Sequence, residues 1–235
     1  MQQPFLKILC FLLVGPGCGF AAHAQADTTA PEPETKITYE LPHQLRFGID
    51  ITRPIADAFL KTRKSYEFQV DYAIKNEAYL VAEAGWGNAD IDYPDLKYKS
   101  SNPFLRIGID KTMLTRIAAS DWDMLFVGMR YGFAPIKRGE AVYTTTDSLW
   151  GNTTGTIAGK NLTAHWLEVT AGIRVEMIHG LFIGWNIHGR FLLNQKPFRE
   201  LPPSFIAGYG KGDKNTIFDY NLYVSYALRW GRKKG

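Results

Sequence analysis

The sequence predicts an all-β fold, an eight-stranded antiparallel up-and-down transmembrane β-barrel. Apolar residues recur at every second position in eight segments, and the connections between those segments alternate between long and short. The chain has 235 residues, 46% apolar and 21% charged, a composition that excludes a disordered or collagen-like chain. A net charge of +4 is too small to indicate a nucleic-acid partner, and we expect none.

The first 24 residues are organised like a secretory signal peptide. Lys7 supplies a positive charge, residues 8–14 form an apolar run, and Ala22-His23-Ala24 matches a cleavage site. The run is about half of the ~20 residues that a transmembrane helix needs. Because the chain's two cysteines both precede this site, we expect a mature protein without disulfides or cysteine-ligated metal.

The remaining chain divides into three parts. Residues 25–44 are rich in Pro and Glu and lack an apolar period, which predicts a flexible periplasmic segment. Residues 45–230 are the predicted barrel, and residues 231–235 are a basic tail.

The eight predicted strands each have one apolar face. Alternation is clear in the first two, weaker in the third, short in the fourth and clear again in the next three. The last strand places four aromatic residues on one face. In chain order they are LRFGIDIT (45–52), YEFQVDYAIK (66–75), AYLVAEAGW (78–86), LRIGID (105–110), MLFVGMRYGF (124–133), LEVTAGIRVE (167–176), LFIGWNIHGR (181–190) and FDYNLYVSYALRW (218–230).

The connections predict how these strands are arranged. Long connections follow every odd-numbered strand, whereas residues 76–77 and 177–180 are tight turns and residues 111–121 are intermediate. An outer-membrane barrel, with short periplasmic turns and long outer loops, has this alternation. We expect a helical turn within residues 54–64 and a mobile loop tip at 208–213. The long connections are residues 53–65, 87–104, 134–161 and 192–216.

The polar face of the strands carries charges of both signs, and its cations are almost all arginine. Arginine suits a buried ion-pair network better than lysine, and glycines on the same face make room for it. We expect Arg106 to pair with an acid such as Asp71 or Asp110; Glu83 lies on the same face. The predicted interior charge network is Arg46, Asp50, Glu67, Asp71, Arg106, Asp110, Arg130, Glu168, Arg174, Glu176, His188, Arg190, Asp219 and Arg229.

Alternation alone does not say which face is inside. A soluble periplasmic lipocalin-like carrier, with its apolar face around a ligand, stays an alternative. Aromatic residues near strand ends, such as Tyr66, Trp86, Tyr131 and Trp230, favour membrane girdles instead.

Residues 45–230 resemble small Gram-negative outer-membrane β-barrels. In their sequence pattern, the stretches LRFGIDITRP (45–54) and YEFQVDY (66–72) most resemble uncharacterised Bacteroidota barrel families. The last strand resembles the closing strand that barrel-assembly machinery recognises. The resemblance implies an outer-membrane location, contact with lipid and lipopolysaccharide, and help from that machinery during assembly. It brings no active site.

We therefore expect a non-enzymatic barrel with a structural or surface-binding role and an unknown extracellular ligand. No motif indicates a catalytic residue, a cofactor or a metal. An alternative is a barrel enzyme acting on lipid A or peptides, for which His188 with Glu168 is the candidate pair. Basic residues of two long loops are candidates for lipopolysaccharide contact: Lys61, Arg63, Lys64, Lys196, Arg199, Lys211 and Lys214.

Overall fold

The computed structural model describes residues 42–59, 63–74, 77–114, 121–147, 149 and 151–231. The expected signal peptide, residues 25–41 of the expected N-terminal segment and residues 232–235 of the tail lie outside the described residues. Neither helix in the described part is long and apolar enough to cross a bilayer. The elements are β1 (His43–Asp50), α1 (Thr52–Phe59), β2 (Arg63–Ala73), β3 (Ala78–Asp92), β4 (Leu96–Thr112), β5 (Met124–Arg138), β6 (Ala141–Asp147), β7 (Gly151–Ile157), β8 (Lys160–Ile178), β9 (Leu181–Leu192), a 3₁₀ turn (Lys196–Phe198) and β10 (Thr216–Trp230).

Eight of these strands form a closed antiparallel barrel. In order around the wall they are β1, β2, β3, β4, β5, β8, β9 and β10. The pairing of β1 with β10, which begins at His43 opposite Trp230, closes the ring. Closure leaves the barrel without a free edge. The β6–β7 hairpin stands on the rim, where Leu96 of β4 pairs with Tyr143 of β6.

The two rims differ. The turn rim carries the short connections after β2, β4 and β8 and both described chain ends. The loop rim carries α1, the β3–β4 turn, the β6–β7 hairpin and the β9–β10 loop (residues 193–215). The predicted eight-stranded up-and-down barrel is confirmed, and each predicted strand overlaps one barrel strand, although the first two were predicted to continue beyond Asp50 and Ala73.

Two of the predicted long loops are wrong. Residues 87–104 are mostly strand, because β3 and β4 stay paired as far as Asp92 and Lys97. Within 134–161, β5 continues to Arg138, and β6 and β7 form a hairpin. These extensions are polar on their outer face and apolar at inward positions such as Ile91 and Ile136, so the parity of the apolar residues reverses although backbone pairing continues. The helical turn expected within 54–64 is α1, which begins earlier and ends at Phe59.

The apolar face of the strands is the outer face. On β5, Val127, Met129, Tyr131 and Phe133 are 45%, 64%, 47% and 39% exposed. The alternate side chains point into the lumen, and most are buried. A lipocalin-like carrier needs the opposite arrangement, with the apolar face around its ligand.

Apolar clusters lie at both ends of the lumen. Tyr79, Val81, Met124 and Phe126 pack together toward the turn rim. A larger cluster fills the loop rim, and the β9–β10 loop contributes to it. Its buried members are Ala89, Ile91, Tyr98, Phe104, Ala134, Ile136, Ala141, Leu162, Ala164, Trp166, Phe198, Phe205, Ile206, Ala207 and Tyr209.

Candidate functional site

Strand register creates the charged lumen. Glu83 of β3 lies directly opposite Arg106 of β4, and Arg46 of β1 lies opposite Asp71 of β2. Glu168 of β8 has Arg130 of β5 as its partner on one side and Arg190 of β9 on the other. Inward-facing opposite charges at matched positions are therefore neighbours as soon as the strands pair.

Arg106 contacts three carboxylates. Its guanidinium pairs with Glu67, with Glu83 at 2.8 Å and with Glu168 at 3.1 Å; Arg106 and Glu168 are wholly buried. Asp71 and Asp110, the expected partners of Arg106, pair with other arginines. The expectation was wrong because register places Asp71 opposite Arg46 and Asp110 opposite a glycine.

Asp110 instead joins two arginines toward the turn rim. Its carboxylate lies 3.1 Å from Arg130 and 3.0 Å from Arg174. Asp71 lies 2.9 Å from Arg46 and 3.5 Å from Arg174. Each of these acids is thus shared between two arginines, which distributes charge through the lumen and leaves little of it unpaired.

A third group lies toward the loop rim. Asp219 of β10 pairs with Arg190 at 2.9 Å and with Arg53 at the start of α1. Asp50 accepts a hydrogen bond from Asn221 and lies 3.5 Å from Arg53. Arg53 was not among the predicted network residues because it follows the first predicted strand. Outside a strand, alternation does not indicate whether a side chain points inward.

His188 sits inside the network. Its Nδ1 is 2.9 Å from Oε1 of Glu168 and 3.3 Å from Oγ1 of Thr170. All three side chains are wholly buried. His188 and Glu168, the pair considered for catalysis, are therefore in contact. Both lie among the arginines that bind Glu168.

Glu176 and Arg229 form a separate pair at the turn rim, 2.9 Å apart. The Arg229 guanidinium lies 4.2 Å from the centroid of the Trp122 ring and donates to Gln44. Both members are partly exposed. The structure thus separates these two predicted residues from the central network.

Two glycines make room for large inward side chains. A Cβ at Gly128 would lie 2.1 Å from Oδ1 of Asp110, and one at Gly132 would lie 2.0 Å from the Trp166 ring. Neither side chain can move far from the added Cβ, because Asp110 is paired with arginines and Trp166 is wholly buried. Small inward residues are therefore required beside the network.

The β9–β10 loop closes the lumen from the loop rim. Arg106 donates to the carbonyl of Gly208 at 3.3 Å, and Arg190 donates to that of Tyr209 at 3.1 Å. Asn102 makes two hydrogen bonds with the backbone of Ala207. The expected mobile tip at 208–213 is therefore wrong for its first residues, because Tyr209 is wholly buried against Trp166.

The Tyr209 hydroxyl donates to the carbonyl of Lys214 at 2.5 Å, which ties the loop to itself. Burial raises the pKa of Tyr209 to about 12, because the charged phenolate is disfavoured away from water. The neutral phenol is thus the form that fits this loop.

The network also contains residues that the site prediction did not include. Glu83 has the right parity, and Tyr223 does too; its hydroxyl donates to Glu67. Thr170 links Arg130 and Glu168. Inward parity along the strands is a signal that would have found these polar members.

The loop acids and the basic loop residues lie elsewhere. Asp90 pairs with Lys99 and Asp92 with Lys97, each at 2.8 Å. In the described part of the chain, no three His, Cys, Asp or Glu side chains are grouped as a metal site requires. Arg63 is half-buried, 5.4 Å from the Phe205 ring, and Lys61 lies outside the described residues. The predicted basic loop residues that are exposed are Lys64, Lys196, Arg199, Lys211 and Lys214.

A family model described as Domain of unknown function (DUF6048) matches residues 3–233. The chain belongs to the DUF6048 family. No curated protein sequence matches this DUF6048 chain.

Among solved structures, the DUF6048 chain is similar to Neisserial surface protein A, with 10% identity over 80% of this chain and 96% of that one, and a TM-score of 0.39. It is similar to a major outer membrane protein from Thermus thermophilus, with 8% identity over 81% and 100% and a TM-score of 0.42. It is also similar to Ail, the attachment invasion locus protein of Yersinia pestis, solved with the heparin analogue sucrose octasulfate. The identity there is 8% over 80% of this chain and 97% of that one, with a TM-score of 0.37. Likenesses this distant concern the fold alone.

Proposed function

We propose that this protein is a non-enzymatic integral outer-membrane barrel with a closed, charge-filled interior and a structural or surface-binding role at its loop rim. One observation carries the proposal. The outer wall is apolar through the middle of every barrel strand, whereas the lumen holds the charges. A wall of this kind is stable in lipid and poorly suited to water.

Aromatic residues at both ends of the apolar wall support a membrane position. Tyr66 and Trp86 pack together near the loop rim, with ring centroids 5.6 Å apart. Tyr72, Trp230 and His43 cluster at the turn rim. Rings of this type favour the interface between hydrocarbon and water. The turn rim then faces the periplasm and the loop rim the exterior.

The non-enzymatic role is supported by the environment of His188 and Glu168. Both are wholly buried, and Glu168 is occupied by arginines. The cleft of about 340 Å³ between the β3–β4 extension and the β9–β10 loop is lined by other residues, including Tyr93, Tyr98, Pro203 and Phe205. Neither His188 nor Glu168 lines that cleft.

The proposal includes the targeting and partners implied by the sequence. The signal peptide would direct export across the inner membrane and be cleaved after Ala24. Barrel-assembly machinery would recognise the closing strand. Outer-membrane lipid and lipopolysaccharide would surround the wall, with no nucleic-acid partner. The sequence pattern of residues 45–54 and 66–72 supports an origin in the Bacteroidota.

Membrane fractionation tests the location. The expected result is β-rich protein in the outer-membrane fraction, extractable only with detergent, and starting at Gln25 by N-terminal sequencing. Recovery in the soluble periplasm would overturn the proposal. Comparison of lipid A composition between a deletion strain and its parent tests the enzymatic alternative. A change that His188→Ala reproduces would favour a lipid A enzyme.

A further inference from the structure

A basic cleft lies on the outer wall of β2 to β5, just beyond the apolar belt on the loop-rim side. It has a volume of about 610 Å³, and its lining includes Lys64, Asn88, Asp90, Lys99, Ser101 and Lys137. These six side chains point outward and are exposed. They belong to barrel strands, and of the basic residues that the sequence predicted for lipopolysaccharide contact only Lys64 is among them.

Strand register arranges four of these residues in one row. Lys64 pairs with Asn88, Asn88 with Ser101, and Ser101 with Lys137. The row therefore has a lysine at each end and two neutral hydrogen-bonding side chains between them. Three strand spacings of about 4.8 Å separate the ends, which places the two lysines roughly 14 Å apart along the wall.

The row lies directly above the aromatic belt. Tyr66 and Trp86 are two residues further into the membrane than Lys64 and Asn88, respectively, on the same outward face. Two residues of strand correspond to about 7 Å. Side chains at this level meet the headgroups of lipids whose acyl chains lie along the belt.

The two end lysines differ from Lys99, the other lysine that lines the cleft. Lys99 is paired with Asp90 at 2.8 Å. In the described part of the chain, no carboxylate forms an ion pair with Lys64 or Lys137, whereas Lys97, Lys99 and Lys160 each have one. An anion of the surroundings is the natural partner for them.

We propose that this cleft binds the headgroup of a phosphorylated glycolipid in the outer leaflet. One phosphate lies on Lys64 and a second on Lys137, sugar hydroxyls meet Asn88 and Ser101, and acyl chains follow Tyr66 and Trp86. A single phosphate is too small to reach both lysines, and a phospholipid headgroup has no sugar for the central pair. This inference rests on the proposed function, because it needs the loop rim to lie in the outer leaflet.

The test uses protein purified in detergent from membranes and titrated with diphosphoryl lipid A, with bound lipid counted by native mass spectrometry. The double variant Lys64→Gln/Lys137→Gln is expected to bind about tenfold more weakly or worse, since each surface lysine contributes about 1 kcal/mol toward an anionic lipid. The matched control is Lys97→Gln/Lys160→Gln, which removes the same charge from exposed lysines already paired with Asp92 and Glu200 and should change binding less than about twofold.

Three results would overturn the inference. The double variant binds diphosphoryl lipid A as the unaltered protein does; phosphatidylglycerol binds equally tightly; or inorganic pyrophosphate displaces the lipid at matched concentration, which would indicate a site for free phosphate. Each of them leaves a folded, membrane-extracted barrel. Failure of the proposed function is different, because the protein would then be recovered from the soluble fraction before any lipid was added.

Discussion

Arg106 on β4 and Glu168 on β8 meet across β5, with Nη1 of the arginine 3.1 Å from Oε2 of the carboxylate. Glu168 also lies 3.3 Å from Arg130 and 2.7 Å from Arg190. Both residues of the first pair are wholly buried. Removing either side chain therefore leaves several buried charges without their partner, a costly situation in a low-dielectric interior.

Arg106→Leu should destabilise the barrel by roughly 3–5 kcal/mol, the usual loss when one partner of a buried ion pair is removed. Glu67, Glu83 and Glu168 would be left with too little positive charge. Unfolding in lipid vesicles, followed by the heat-dependent gel shift, measures the loss. Arg106→Lys is the control, because it keeps the charge but not the three-way contact, and it should cost less. A harmless Arg106→Leu would contradict the assignment of this face to the interior.

Val169→Arg tests the outer face. Val169 is 45% exposed at the middle of β8, on the apolar side. Arginine at the bilayer midplane costs about 2–4 kcal/mol. Asn161→Arg, also outward on β8 but beyond the belt, should be nearly neutral. The same vesicle assay applies, and equal stability of the two variants would contradict a lipid-facing Val169.

Gly208→Ala should release the β9–β10 loop from the lumen. Gly208 has a φ of +80°, and a Cβ would lie 2.4 Å from the Phe104 ring. Faster proteolysis within residues 193–215, with the barrel's gel shift retained, is the expected result. Gly151→Ala is a matched control, since its φ is +75° but no atom lies within 4 Å of the added Cβ. If both variants were cleaved alike, backbone preference rather than the clash would account for the effect.

The protein should form no stable, well-defined pore in planar bilayers. Eight strands leave an interior just wide enough for side chains, and here arginines and acids occupy it. We expect the same closure for Gly208→Ala, because the charge network lies deeper than the loop. Steady porin-like currents from the unaltered protein would contradict a filled lumen.

The barrel itself could be predicted from the sequence because period-two alternation is set by the apolar outer wall. Each predicted strand ends near the edge of that wall, as at Trp86 and Leu105. Beyond it the outer face is polar, and the apolar residues, such as Ile91 and Ile136, point inward. Where Asp90 still pairs with Lys99, the apolar parity is therefore the reverse of that in the belt. The strands that flank residues 87–104 and 134–161 were therefore predicted too short.

The inward parity of charged residues on the strands could be predicted, but their partners could not. Parity places Arg106 inside, whereas its partners depend on register between strands, which alternation alone leaves open. The contacts of the β9–β10 loop could not be predicted either. Residues 208–213 are rich in glycine, a feature common to exposed tips and to backbone that approaches other groups closely. Only the contact of the Gly208 and Tyr209 carbonyls with arginines distinguishes the two.

Alkaline pH should loosen the β9–β10 loop through Tyr209. Burial raises the pKa of Tyr209 to about 12, above the ordinary tyrosine value of about 10. The folded loop therefore holds the phenolic proton more tightly than the released loop. Its contribution to stability is complete below about pH 10 and is lost as the pH rises through about 12. The phenolate can no longer donate to the Lys214 carbonyl.

Limited proteolysis of residues 193–215 between pH 9 and 12 measures this loss, with a protease active across that range. We expect cleavage to rise steeply above about pH 10 in the unaltered protein. Tyr209→Phe removes both the proton and the hydrogen bond, so the variant should be cleaved faster at pH 9 and show a flatter response. Because all other tyrosines remain, the difference between the two pH profiles isolates Tyr209. Parallel profiles would mean that another group controls the loop.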